Sequence, residues 1–346
     1  MKAAVLHQYD TSLTNPDFVV LEEVEEPKLA RSTDVIVRIG GAGVCRTDLH
    51  VIEGIWRQKV DVKLPYVMGH ENAGWVEEVG KGVEGFKKGD PVICHPLISN
   101  CHALAARRGH DMHVEGSEFP GISTNGGYAE LLRTGASSLI SLPKTLAPKD
   151  VAPHADAGLT AYHVAKKAAY HLLPGERVVV IGVGGLGHLG VQYARRMGFE
   201  VVAIDRGDDR AELSKKLGAH HYIDSSTTDV AKALQERGGA QVVLATASGG
   251  KAVAAALGGL RRGGVVISLG ATDEPIELSA FEMLFKQLGV DGALTGTPKA
   301  GDATLRFSAL SDIAAMVETM PLERAAEAYA KMMSGQARFR MVLTVA

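Results

Sequence analysis

Apolar and polar positions alternate differently in the two halves of this chain. Up to about residue 150 the apolar positions come in short runs interrupted by Gly and Pro. Val35-Ile36-Val37-Arg38-Ile39, Gly74-Trp75-Val76-Glu77-Glu78-Val79 and Asp90-Pro91-Val92-Ile93 read as strands. The segment from Gly82 to Asp90 is turn-rich and should connect two of them. This half is expected to form an irregular, β-barrel-like domain.

After residue 155 strands and helices take turns. A helix is expected from about Leu159 to Ala169, ending before Pro174-Gly175. The strand Arg177–Ile181, a glycine turn and a helix through Arg196 follow. Strands at 200–204, 222–223, 241–244 and 264–269 alternate with helices at 210–217, 230–237 and 251–260. Strands that are apolar on both faces and separated by helices imply a parallel sheet covered on both sides. The last 50 or so residues are mixed and close on Arg340-Met341-Val342-Leu343-Thr344, a strand expected to rejoin the first half. The implied domains are 1–155, 156–293 and a return at 294–346, and the fold class is α/β.

Composition narrows the class. The 346 residues suffice for two cores, and the 46% hydrophobic and 22% charged content is that of a soluble globular protein. A net charge of −3 gives no reason to expect nucleic acid or a membrane as partner. No apolar run is long enough for a membrane span, Met1–Val5 reads as a strand and not a leader, and three cysteines make no disulfide framework. A cytoplasmic enzyme is expected. The 40 glycines include the pairs Gly40-Gly41, Gly126-Gly127, Gly184-Gly185 and Gly263-Gly264, which are expected at tight turns.

Two motifs carry chemistry. Gly182-Val183-Gly184-Gly185-Leu186-Gly187 directly follows an apolar strand and opens a helix, the context of a dinucleotide fingerprint. Gly182 would permit the tight turn, Gly184 the approach of the pyrophosphate, and Gly187 the packing of helix on strand. Asp205, ending the next strand, can accept the ribose hydroxyls and would repel a 2′-phosphate, so NAD is expected over NADP. Arg206 and Arg210 nearby offer guanidiniums that could pair with such a phosphate. Cys45, in Gly43-Val44-Cys45-Arg46-Thr47-Asp48, and Gly69-His70-Glu71 supply a thiolate, an imidazole and a carboxylate, a plausible open zinc site. A Lewis acid beside a nicotinamide suggests hydride transfer at a carbon bearing oxygen.

With these motifs and Asp156-Ala157-Gly158-Leu159-Thr160, the chain resembles the zinc-dependent medium-chain alcohol dehydrogenases over nearly its whole length. The resemblance implies a GroES-like catalytic domain and a Rossmann, doubly wound cofactor domain. It implies reversible hydride transfer between a small alcohol and its aldehyde or ketone, with zinc and NAD, in a homodimer or homotetramer. The zinc ligands would be Cys45, His70 and Asp156, with Glu71 close behind the metal as a transient or outer ligand. Because Asp156 is a harder donor than a thiolate, a more exchangeable metal and better tolerance of cobalt or manganese are expected.

Thr47 matches the hydroxyl beside the metal and His50 the outer histidine of a proton relay that runs through the cofactor ribose. Arg46 and Arg340 match positions near the cofactor phosphates, Leu269 and Gly270 the nicotinamide side. Trp56 matches a substrate-pocket position, and equally fits plain core. Many members carry a lobe with four cysteines binding a structural zinc. Here those positions are Asn100, Ala103, Ala106 and Val114, so one zinc per subunit is expected and no structural zinc. His95, His102, His110 and His113 in the same stretch are expected to belong to a polar surface loop. The competing readings are a zinc-free quinone or enoyl reductase, and a non-catalytic cofactor-binding relative.

Overall fold

The computed structural model describes all residues except 16, 17, 59, 61, 248, 273 and 346. The chain divides into two compact units. One comprises Met1–Leu159, Gly296–Arg306 and Ala314–Ala346, the other Thr160–Thr295 and Phe307–Ile313.

The first unit is built on the strand Asp34–Gly43, which is long enough to pair with three others. It runs antiparallel to Glu71–Val79, to Leu131–Gly135 and to the closing strand Arg340–Thr344. The closing strand pairs in parallel with Val317–Pro321. Glu71–Val79 continues to Pro91–Cys94, and that strand to Leu139–Ser141. A smaller sheet joins Lys2–Leu6 to Val20–Glu23 and Tyr66–Val67. The core between these strands is aliphatic and aromatic, with Leu6, Ile39, Leu49, Met68, Tyr128 and Tyr329 fully buried.

The glycine pair Gly40-Gly41 does not make a tight turn. Both residues lie inside the Asp34–Gly43 strand, whose pairing shifts register between Ile39 and Gly41. Close approach is the reason. A Cβ on Gly41 would stand 2.5 Å from Lys149 Cα, and one on Gly43 would stand 2.2 Å from Glu71 Oε2.

The second unit is a parallel sheet in the order His221–Asp224, Glu200–Asp205, Arg177–Ile181, Ala240–Ala245, Leu260–Ser268, Gly289–Gly292. Numbered along the chain this is 3-2-1-4-5-6, the doubly wound arrangement whose order reverses at the first strand. Its central strands are buried on both faces, as their unbroken Val and Ile runs require. The strand expected at 264–269 begins at Leu260. Among the described residues no helix is long and apolar enough to cross a membrane.

Candidate metal centre and dinucleotide turn

The metal centre grows from a helix start and a strand start. Helix Arg46–Ile52 follows Cys45, whose backbone is extended. Asp48, on the first turn, folds its carboxylate back, and Oδ2 accepts the Cys45 N–H at 2.9 Å. Asp48 is fully buried, and the same oxygen accepts the Tyr128 hydroxyl at 2.7 Å. His70 sits between Gly69, whose φ is +97°, and the strand that starts at Glu71. Gly43 and Glu71 are register partners, so the strand pairing delivers Glu71 beside the turn that carries Cys45.

His70 Nδ1 lies 3.0 Å from Asp48 Oδ1. A carboxylate can only accept, so Nδ1 carries a proton, and Nε2 is the nitrogen left to face a second proton or a metal. Nε2 is buried and has no hydrogen-bond partner among the described residues. It lies 3.5 Å from Asp156 Oδ2. Ligand atoms of Cys45, His70, Glu71 and Asp156 all fall within 4.8 Å of one another. Burial alone would draw the His70 imidazole below its usual range. Asp48 first, then Asp156 and Cys45, outweigh that and hold it well above. The cluster therefore attracts positive charge, whether a proton or a metal ion.

This donor set fits zinc. Sulfur, imidazole nitrogen and carboxylate oxygen are its usual ligands, and two donors about 2.0–2.2 Å from one ion at the tetrahedral angle stand about 3.3–3.6 Å apart. The 3.5 Å between His70 Nε2 and Asp156 Oδ2 lies in that range. Glu71 is fully buried and shared. Oε1 accepts the Ala157 N–H at 3.1 Å, and Oε2 pairs with Arg340. Burial pushes the Glu71 carboxyl up, with Arg340 opposing.

The other expected residues of this unit are distributed as follows. Thr47 is half-buried, its hydroxyl 3.7 Å from Cys45 Sγ, and His50, one helical turn on, is buried. Arg46 is exposed. Trp56 packs against the core, and its indole N–H is buried without a partner among the described residues. Arg340 is buried against Glu71. Asp48 and Tyr128 were not singled out from the sequence. A carboxylate three residues from a cysteine ligand was the available signal for Asp48, since metal-bound histidines donate their second N–H to such a group.

The lobe around residues 100–115 contains a short helix, Leu104–Arg107, and a 3-10 turn, Asp111–His113. Asn100 organises its start, accepting the His102 N–H at 3.0 Å, and Ser99 donates to the buried Asp111 at 3.3 Å. His110 and His113 are exposed and stack at 5.4 Å. His95 departs from the surface loop expected for it. It is buried, taking the Leu97 N–H on Nδ1 at 3.1 Å and standing 2.9 Å from Gly296 O through Nε2. It directly follows the strand Pro91–Cys94, whose last three residues are buried.

In the second unit Gly182 has a φ of +87° and ends the strand Arg177–Ile181. A Cβ on Gly187 would stand 1.7 Å from Gly182 O, whereas one on Gly184 would meet nothing within 4 Å. Gly187 is thus needed for packing, and Gly184 leaves open space at the start of helix Gly187–Arg196, where free backbone N–H groups favour anions. Gly185 and Leu186 complete the turn. Asp205 Oδ2 accepts the Val183 N–H at 2.7 Å and Oδ1 accepts the Arg206 N–H at 2.8 Å. A carboxylate offers about four lone-pair sites, so capacity remains for ribose hydroxyls. Arg210 donates to Val183 O at 3.1 Å. Leu269 and Gly270 follow the Leu260–Ser268 strand, both amides donating to Ala245 O.

Comparison with known proteins decides the family. Residues 31–144 match the alcohol dehydrogenase GroES-like domain and residues 185–310 the zinc-binding dehydrogenase domain. An alcohol dehydrogenase of Geobacillus stearothermophilus is 38% identical over 347 residues, covering 100% of both chains. This chain belongs to the zinc-dependent medium-chain alcohol dehydrogenases. As such it is an oxidoreductase. Another member of the family, an alcohol dehydrogenase of Moraxella sp., is 36% identical over 99% of each chain. The crystal structure of the alcohol dehydrogenase from Aeropyrum pernix superposes with a TM-score of 0.93 at 38% identity, over 99% of this chain and 100% of that one.

Proposed function

We propose that this dehydrogenase interconverts a small alcohol and its aldehyde or ketone with NAD, using one zinc ion held by Cys45, His70 and Asp156. The observation that carries the reading is the buried, unpartnered His70 Nε2 among sulfur and carboxylate donors. Zinc bound there supplies a Lewis acid that polarises the substrate oxygen, and NAD supplies the hydride acceptor.

The chain's own residues do the rest. Asp48 keeps the proton on His70 Nδ1, so Nε2 stays a donor to metal. Arg340 balances the charge of Glu71, leaving that carboxylate an outer partner of the ligands. Thr47, beside Cys45, would accept the alcohol proton on its hydroxyl while passing its own on, and His50, one helical turn further, would hold the proton on its way to water.

The space at Gly184 supports a dinucleotide pyrophosphate, and the free capacity of Asp205 supports NAD over NADP. Arg210, already donating to Val183, supports the phosphate loop and leaves Asp205 in charge of the ribose. Asn100, Ala103, Ala106 and Val114 offer no set of soft donors, which supports a single zinc. The apolar residues Leu278, Phe281, Leu284 and Phe285 are exposed, and support assembly into a homodimer or homotetramer.

The test is elemental zinc per subunit, measured alongside NAD and NADP reduction with primary, secondary and aromatic alcohols. One zinc with chelator-sensitive, NAD-preferring turnover is expected. Two zincs would overturn the single site, and preference for NADP would overturn the role given to Asp205.

A further inference from the structure

One side chain touches both segments that bring the sulfur and imidazole donors. Tyr128 is fully buried in the catalytic unit. Its backbone N–H donates to Met68 O at 2.9 Å, two residues before His70. Its ring lies flat on the Cα of Gly69, where a Cβ would stand 2.4 Å from Tyr128 Cδ1. The hydroxyl reaches the other segment, 2.7 Å from Asp48 Oδ2 and 3.0 Å from Gly43 O. The ring of Tyr329 meets that of Tyr128 edge-on, with centroids 6.3 Å apart.

Phenylalanine at this position would keep the ring contacts, so the hydroxyl has a separate task. A phenol carries one proton, and the shorter contact to an ionised acceptor takes it. With the Cys45 N–H and the Tyr128 O–H both on Oδ2, the plane of the Asp48 carboxylate is fixed. Oδ1 is then left facing His70 Nδ1.

We propose that Tyr128 is a positioning residue for the metal: its hydroxyl orients Asp48, and Asp48 orients His70 and sets its tautomer. The phenol never touches the ion, yet it governs how tightly the ion is held and what ligand field it feels. The inference rests on the zinc reading above. Tyr128 does not contact substrate or cofactor in this role.

The experiment uses the full-length protein, metal-free and then loaded with zinc or cobalt. Zinc affinity is read by competition with a chromogenic chelator, and ligand field from the visible absorption of the cobalt form. For Tyr128→Phe we expect affinity to fall about tenfold, the low end for partners outside the ligand shell, together with a shifted cobalt band. In the Asp48→Asn background the same substitution should have little further effect, because its route to the metal is already cut.

An affinity within twofold of wild type and superimposable cobalt spectra would overturn the proposal. So would an equal loss in both backgrounds, which marks packing alone. Should Tyr128→Phe fail to fold, 3-fluorotyrosine at position 128 keeps the shape and changes only the acidity of the phenol. A shifted cobalt band then supports the proposal and an unshifted one overturns it. Failure of the wild-type protein to bind either metal would instead remove the zinc reading itself.

Discussion

Replacing Asp48 by Asn changes one atom and cannot satisfy the site. Asp48 accepts three hydrogen bonds, from His70 Nδ1–H on Oδ1 and from Cys45 N–H and Tyr128 O–H on Oδ2. An amide with its oxygen toward His70 turns its NH₂ on the Cys45 N–H, which loses its acceptor, while the Tyr128 hydroxyl can turn its proton to Gly43 O. Flipped, it turns the NH₂ on Nδ1, and the imidazole must carry its proton on Nε2, where the lone pair for the metal belongs. Leaving a buried donor unmatched costs about 1–3 kcal/mol. A loss of 10- to 100-fold in metal affinity, about 1.4–2.8 kcal/mol, is the corresponding expectation for an outer partner of a metal-bound histidine. Competition titration against a chromogenic chelator measures this directly. Melting temperatures with and without zinc separate it from a general loss of stability, because metal binding stabilises only the form that binds. A variant that folds and holds zinc within twofold of wild type would refute the role assigned to Asp48.

Other changes have equally definite outcomes. Asp156→Cys should slow zinc release and lower the uptake of cobalt or manganese, measured as exchange rates on the loaded enzyme; unchanged rates would remove the effect ascribed to the oxygen donor. Gly184→Ala should fold normally and raise KM for NAD, since its methyl enters open space. Gly187→Ala must displace the Gly182 carbonyl and should cost about 1–3 kcal/mol in a denaturant titration. Burial pulls His154 down to about 4, against an ordinary 6.5. Between those values the unfolded chain binds a proton that the folded chain refuses, so stability rises with pH there and is lost as pH falls from 6.5 toward 4. The gap is on the order of 3 kcal/mol, and His154→Leu should flatten that part of the stability–pH curve.

The strand and helix alternation after residue 155 was readable because buried parallel strands are uninterrupted apolar runs, as Val178–Ile181 and Val201–Ile204 are. The sixth strand, Gly289-Val290-Asp291-Gly292, has no such signature and is held by its neighbour Leu260–Ser268. Gly40 and Gly41 misled because glycine serves both turns and close approach, and only the neighbouring Lys149 backbone distinguishes the two. Cys45, His70, Glu71 and Asp156 could be suspected from residue type and the family pattern. The link from Tyr128 through Asp48 to His70 could not, since it joins residues 80 and 22 positions apart through tertiary packing. His95 was misjudged because polarity in sequence does not tell which histidine a strand end carries inward.

The pairing of Arg340 with Glu71 spans 269 positions of chain. The three proposed zinc ligands are all made before residue 157, but the cation that balances Glu71 beside them arrives much later, on the strand Arg340–Thr344. A nascent chain could gather its ligands early and would still hold an uncompensated carboxylate next to them. Metal retention would then report that synthesis has passed Arg340. Truncation before Arg340 should cost zinc as well as stability, although no ligand is removed.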